Sequence, residues 1–121
     1  MTYESVKDVE SKIAPGVTFR VARMSFARRM DLMRQVRELA RQIEFLEAGQ
    51  APGEKMEAAL VQAEVDRVYL RWGLLEVSGL EVDGAAATPT SLIESGPENL
   101  FREALAAVKA ETGLSVTERK N

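Results

Sequence analysis

Neither cysteine nor histidine occurs anywhere in this 121-residue chain. The first absence excludes disulfides, thiolate metal sites and cysteine nucleophiles, and it fits a reducing compartment. The second removes the side chain that most often acts as general base near neutral pH and that ligates transition metals. Aromatic residues are scarce, with a single Trp (Trp72), so any core must be built mainly from aliphatic side chains. No stretch approaches the roughly 20 apolar residues that span a bilayer. The opening residues Met1-Thr2-Tyr3-Glu4-Ser5 form no apolar h-region, so the expectation is a cytoplasmic protein without a signal peptide or membrane contact. Neither G-x-G-x-x-G nor G-x-x-x-x-G-K-[ST] is present, so no phosphate cradle is signalled.

What remains is 45% hydrophobic and 29% charged, the balance of a soluble globular protein and not of a disordered one. The length suits one domain over residues 1–121 with a modest core. Charge is unevenly spread. Between Arg20 and Arg41 stand seven arginines (Arg20, Arg23, Arg28, Arg29, Arg34, Arg37 and Arg41) against Asp31 and Glu38 only, a net +5. The whole chain is −3, so the remainder carries −8. Such a split points to binding and not to chemistry.

Pro and Gly positions divide the chain. Val9, Ser11 and Ile13 alternate with polar residues before Pro15-Gly16, and Val17, Phe19 and Val21 alternate after it, which predicts a β-hairpin over 6–23. Ser25 is placed to cap a helix over about 26–48, ended by Gly49. Its stripe is Leu32, Val36, Leu39, Ile43 and Leu46, widened by Met33 and Ala40, with Leu39 at the buried centre and Arg34, Arg37 and Arg41 on nearly the opposite side. A second helix is expected over about 54–71, antiparallel to the first. It is apolar on two sides: Met56, Ala59, Leu60, Ala63 and Leu70 are expected to meet the first helix. Val61, Val65, Val68 and Trp72 then face another layer or a partner. Beyond Gly73, the residues Leu75, Val77, Leu80 and Val82 lead into Asp83-Gly84, a favoured hairpin turn. Thr90 is a candidate cap for a single turn through Ile93. Gly96-Pro97 then opens a third helix over about 97–112 with the stripe Leu100, Phe101, Ala104, Leu105 and Val108. Ser115 to Glu118 has capping-box spacing, but so few residues follow that 115–121 is expected to fray. The fold class predicted is α+β, an antiparallel helix pair and a C-terminal helix with one or two short β-hairpins.

Carboxylate pairs are the only chemistry left to consider. Glu54/Glu57, Glu64/Asp66 and Glu94/Glu98 are close in sequence, but acids at a helix start are favoured by the helix dipole, and residues two apart on a helix diverge. A magnesium-dependent enzyme is therefore a remote reading, and no catalysis, cofactor or metal is expected. The arginines pose a sharper question. Arg34, Arg37 and Arg41 suit a solvated face paired with Glu38 and Glu44. Arg28 and Arg29 oppose the dipole of the helix they begin, so they are expected either to pair with acidic groups elsewhere in the fold, the favoured reading, or to serve an external acidic partner. Nucleic-acid binding is the alternative, but Phe19, Phe26 and Phe45, the aromatics near the cluster, occupy positions expected to pack. Candidate partner-binding residues are thus Arg28, Arg29, Arg34, Arg37 and Arg41, together with Val65, Tyr69 and Trp72, and the two-faced second helix predicts a homo-oligomer with Val65 or Trp72 near the contact.

The C-terminal third carries a family resemblance. Ser78-Gly79-Leu80-Glu81-Val82-Asp83-Gly84, then Leu92-Ile93-Glu94-Ser95-Gly96-Pro97-Glu98-Asn99-Leu100, then Gly113-Leu114-Ser115 with Glu118-Arg119-Lys120-Asn121, resembles the ends of small phage and prophage tail proteins, many of them grouped with tail assembly chaperones. The likeness covers roughly Gly79 to Asn121 and carries no individual functional residue with it. It implies a protein partner, the tape measure protein, held soluble until the tail tube polymerises around it. The arginine-rich N-terminal half departs from the longer members.

Overall fold

The computed structural model describes residues 1–49 and 51–113. Strands β1 (Val6–Glu10), β2 (Thr18–Ala22) and β3 (Leu74–Ser78) form an antiparallel sheet with β2 in the centre. Val9 pairs opposite Phe19, and Phe19 opposite Val77, so one face of the sheet collects the apolar residues. On the other face Arg20 bridges Asp8 (2.9 Å) and Glu76 (3.7 Å) across all three strands. The expected N-terminal hairpin is present, but β1 ends at Glu10 and does not run on to Ile13, which is exposed. The cause is Ser11. Its hydroxyl accepts the N–H of Ala14 at 2.9 Å and donates to Glu103, closing residues 11–14 into a loop.

The predicted arm from Leu75 to Val82 is divided in two at Gly79. Leu74–Ser78 becomes the third strand of the main sheet, while β4 (Glu81–Val82) and β5 (Ala85–Ala86) make a small hairpin about Asp83 and Gly84. Gly79 has φ +79, and a Cβ there would fall 2.0 Å from the carbonyl oxygen of Gly16, so the two turns touch backbone to backbone. Strand phase also differs from simple alternation. A bulge between Arg20 and Val21 pairs Val21 with Leu74, so Leu74 and Val77 are buried and Leu75 is turned out.

Four helices complete the α+β fold: α1 (Phe26–Glu47), α2 (Pro52–Gly73), α3 (Pro89–Ser95) and α4 (Glu98–Glu111). The α1 N-cap is Ser25, whose side chain accepts the Arg28 N–H at 3.2 Å. Pro52 opens α2, two residues earlier than expected, where the missing N–H costs nothing. At α3 the cap is Thr88 and not Thr90. Thr88 and Ser91 bond reciprocally, and Pro89 follows at the first helical position. Leu100, Ala104, Leu105 and Val108 are the buried stripe of α4, as their spacing predicts, with Phe101 at its half-buried edge. The core lies between the inner sheet face, α3, α4 and the C-terminal half of α2, with Phe19, Val21, Leu70, Leu92 and Val108 fully buried. The expected tail at 115–121 lies outside the described residues.

Candidate protein-binding surface

Helices α1 and α2 form the antiparallel pair that the short loop predicts, and α1 packs principally on α2. Along the seam Val36 and Ile43 line one cavity with Val65, and Leu46 lines another with Val61. Leu32 is the one buried residue of α1; Leu39, expected at the buried centre, is only half-buried. Among the described residues no third layer lies behind α1, so burial is shallow along its length.

The faces of α2 are the reverse of the expectation. Ala58, Val61 and Val65 are the buried side toward α1, while Met56 (70% exposed) and Leu60 (59%) point to solvent and Leu70 drops into the core. Both faces are equally apolar in sequence, and which one meets α1 is settled by where α3 and α4 dock. Those helices cover only the C-terminal half of the second face. Val65 is therefore buried within the chain, on the side toward α1. Tyr69 and Trp72 are half-buried against the core, with the Lys109 ammonium 5.5 Å from the Tyr69 ring centre.

The seven arginines have separate fates. Arg28 donates to the carbonyls of Ser5 (2.7 Å) and Arg23 (2.9 Å), tying the start of α1 to the sheet. Arg29 donates to the Thr112 carbonyl at 3.1 Å, beside the electronegative end of α4. Carbonyls, and not the carboxylates expected, thus satisfy both. Arg20 and Arg23 serve the sheet, the latter sharing Glu111 with Lys7. Arg41 pairs with Glu38 at 3.6 Å in place of Glu44. Arg34 and Arg37 stand exposed with no ion pair among the described residues.

Beside them lies a feature the sequence reading missed. Phe26 (84% exposed), Met30 (45%), Met33 (58%) and Phe45 (76%) are on the outside of α1, although Phe26 and Phe45 were expected to pack and Met33 to widen the inner stripe. The signal was available: Phe26, Met30, Met33, Arg37, Arg41 and Phe45 recur at 4-3-4-4-4 spacing, a second stripe opposite the leucine seam. At the hairpin tip a groove of about 420 Å³ opens against Phe45, Leu46 and Val61, rimmed by Glu38, Arg41 and Glu57.

A smaller cleft of about 320 Å³ between α2, α3 and α4 has charged walls whose groups are already matched. Asp66 accepts Lys109 at 3.1 Å and faces Arg102 at 3.6 Å, Arg102 also meets Glu98, and Arg67 meets Glu94. Among the described residues no three acidic side chains converge as a cation site, and no helix is long and apolar enough to cross a membrane. No family model, curated protein or solved structure matches the chain.

Proposed function

We propose that this chain is a non-catalytic protein-binding module that offers the outer faces of the α1–α2 hairpin to a helical protein partner. The setting we propose is phage or prophage tail assembly, where the protein would act in the host cytoplasm as a chaperone of the tape measure protein. The observation that supports binding is the apolar outside of the hairpin, the outer stripe of α1 together with the exposed Met56 and Leu60 of α2. A 22-residue helix with one buried residue carries two phenylalanines and two methionines in solvent, in line with Arg34 and Arg37, which have no ion pair among the described residues. Single exposed apolar residues are ordinary, whereas an aligned series beside charged groups marks an interaction surface. Methionines suit a client of variable sequence because their side chains adapt to the shape they meet. The tail-assembly setting rests on the resemblance of residues 79–121 alone.

Co-expression with a tape measure protein tests both parts. Wild type should raise the soluble fraction of that protein, and Met56→Glu/Leu60→Glu, which alters exposed α2 positions only, should not. A soluble yield that no version of the chain changes overturns the tail-assembly role.

A further inference from the structure

The hairpin is an electrical dipole along its length. Its base half, residues 26–37 and 63–73, holds six arginines against three acids, a net +3 on the hairpin's own side chains, with Arg67 and Arg71 facing Glu94 of α3. Its tip half, residues 38–62, holds Arg41 and Lys55 against five glutamates, a net −3. The apolar stripe follows the same division, with Phe26, Met30 and Met33 at the base and Phe45 beside the groove at the tip. From these we infer that a second copy of this chain occupies the outer face of α1, antiparallel to the first.

The inference rests on the reading of the hairpin as a protein-binding surface and names its first occupant. Antiparallel packing sets each +3 base against a −3 tip, whereas parallel packing opposes like charges at both ends. Two-fold symmetry then makes every contact twice. Met30 and Phe45 are fifteen residues apart, about 22 Å along a helix. A copy laid antiparallel therefore brings the base side chains of each protomer to the tip groove of the other at both ends together. Glu38 and Glu57, on the groove rim, meet the partner copy's arginines, which supplies counter-ions for Arg34 and Arg37. The arrangement also leaves Met56 and Leu60 of both copies facing outward for a client, and two client sites on one particle add avidity.

Sedimentation velocity decides it, because all four test positions are exposed and leave the fold intact, as circular dichroism melts would verify. Wild type should be dimeric at about 100 μM, and Arg34→Glu/Arg37→Glu or Glu38→Arg/Glu57→Arg should each weaken the dimer about tenfold or more. The quadruple variant exchanges the sign at both ends and should dimerise more tightly than either double variant. Orientation is read by cross-linking, since the chain has no native cysteine. An oxidised mixture of Ala27→Cys and Ala48→Cys should form the mixed disulfide in excess of either self-linked product. A monomeric wild type, a quadruple variant no better than the doubles, or self-linked Ala27→Cys as the main product overturns the inference. A monomer that still solubilises its client would refute the dimer and leave the binding role standing.

Discussion

Ser11 and Glu103 are 92 positions apart, yet they decide where the first strand stops. Burial on its own would raise the Glu103 carboxyl pKa. The Ser11 hydroxyl and the N–H groups of Lys12 and Ile13 outweigh it and hold the pKa below its ordinary value of 4.5. Because the folded pKa is depressed, the stabilisation is present above about pH 4.5 and is lost as pH falls through the folded value. Ser11→Ala should cost about 1–2 kcal/mol at neutral pH, since hydrogen bonds to a charged group are stronger than neutral ones but this one is partly wet. Glu103→Gln should narrow its difference from wild type as acid is added. Urea melts at several pH values would show this, and a gap independent of pH would mean that Glu103 acts by shape alone. Gly73 makes a second residue-scale case. An alanine in a helix ordinarily stabilises by about 1 kcal/mol over glycine, but here its Cβ would sit 2.4 Å from a Val108 methyl. Gly73→Ala should therefore destabilise, by about 1–3 kcal/mol. Adding Val108→Ala should remove most of the clash, so the double variant's loss should fall short of the sum of the singles.

At the scale of elements, the long helix and its partner contribute unequally to stability. Leu70 is fully buried where α2 passes beneath the sheet, and Leu70→Ala should cost about 2–5 kcal/mol from lost burial and the cavity left behind. Leu39, half-buried on the α1 seam, should cost about 1–2 kcal/mol on the same change because solvent already reaches part of it. Arg37→Ala removes an exposed side chain that has no ion pair among the described residues and should cost under about 0.5 kcal/mol. Thermal or denaturant melts of the three rank them directly, and a Leu39 loss equal to that of Leu70 would indicate that α1 is covered by another surface in solution. Hydrogen exchange should rank the elements alike, fastest at the hairpin tip, where residues 44–47 and 54–57 are mostly exposed, and slowest in β2.

For the whole molecule, charge placement governs which macromolecule the arginines meet. Arg28 and Arg29 are committed to carbonyls within the fold, Arg20 and Arg23 to acids of the sheet and α4, and Arg41 to Glu38. Two arginines without an ion pair among the described residues, on a chain of net charge −3, are a thin basis for binding a polyanion. Affinity for a generic duplex should accordingly be weaker than about 10 μM at physiological salt. A polarisation titration that found submicromolar, steeply salt-sensitive binding would restore the nucleic-acid reading. Acidic helices, a second copy's tip among them, need fewer cations because they pair charge with apolar contact.

The α+β class, the extents of α1, α2 and α4 and the stripe of α4 were all legible in the sequence, because caps, turn residues and helical periodicity are interactions between near neighbours. Ser25 caps α1 whatever lies above it, and Asp83-Gly84 turns the chain on its own. Tertiary structure alone decided which face of α2 met α1, since both faces are apolar and the choice depends on where α3 and α4 dock. It alone made Leu74–Ser78 the third strand of the N-terminal sheet, a pairing across more than fifty residues that no local pattern announces. It alone turned Arg28 and Arg29 inward to backbone carbonyls, acceptors present at every residue and therefore invisible in any pattern of side chains. The outer stripe falls between these cases. Its spacing is written in the sequence, but its exposure follows from the single layer that covers α1 among the described residues, and a layer is a property of the packed molecule.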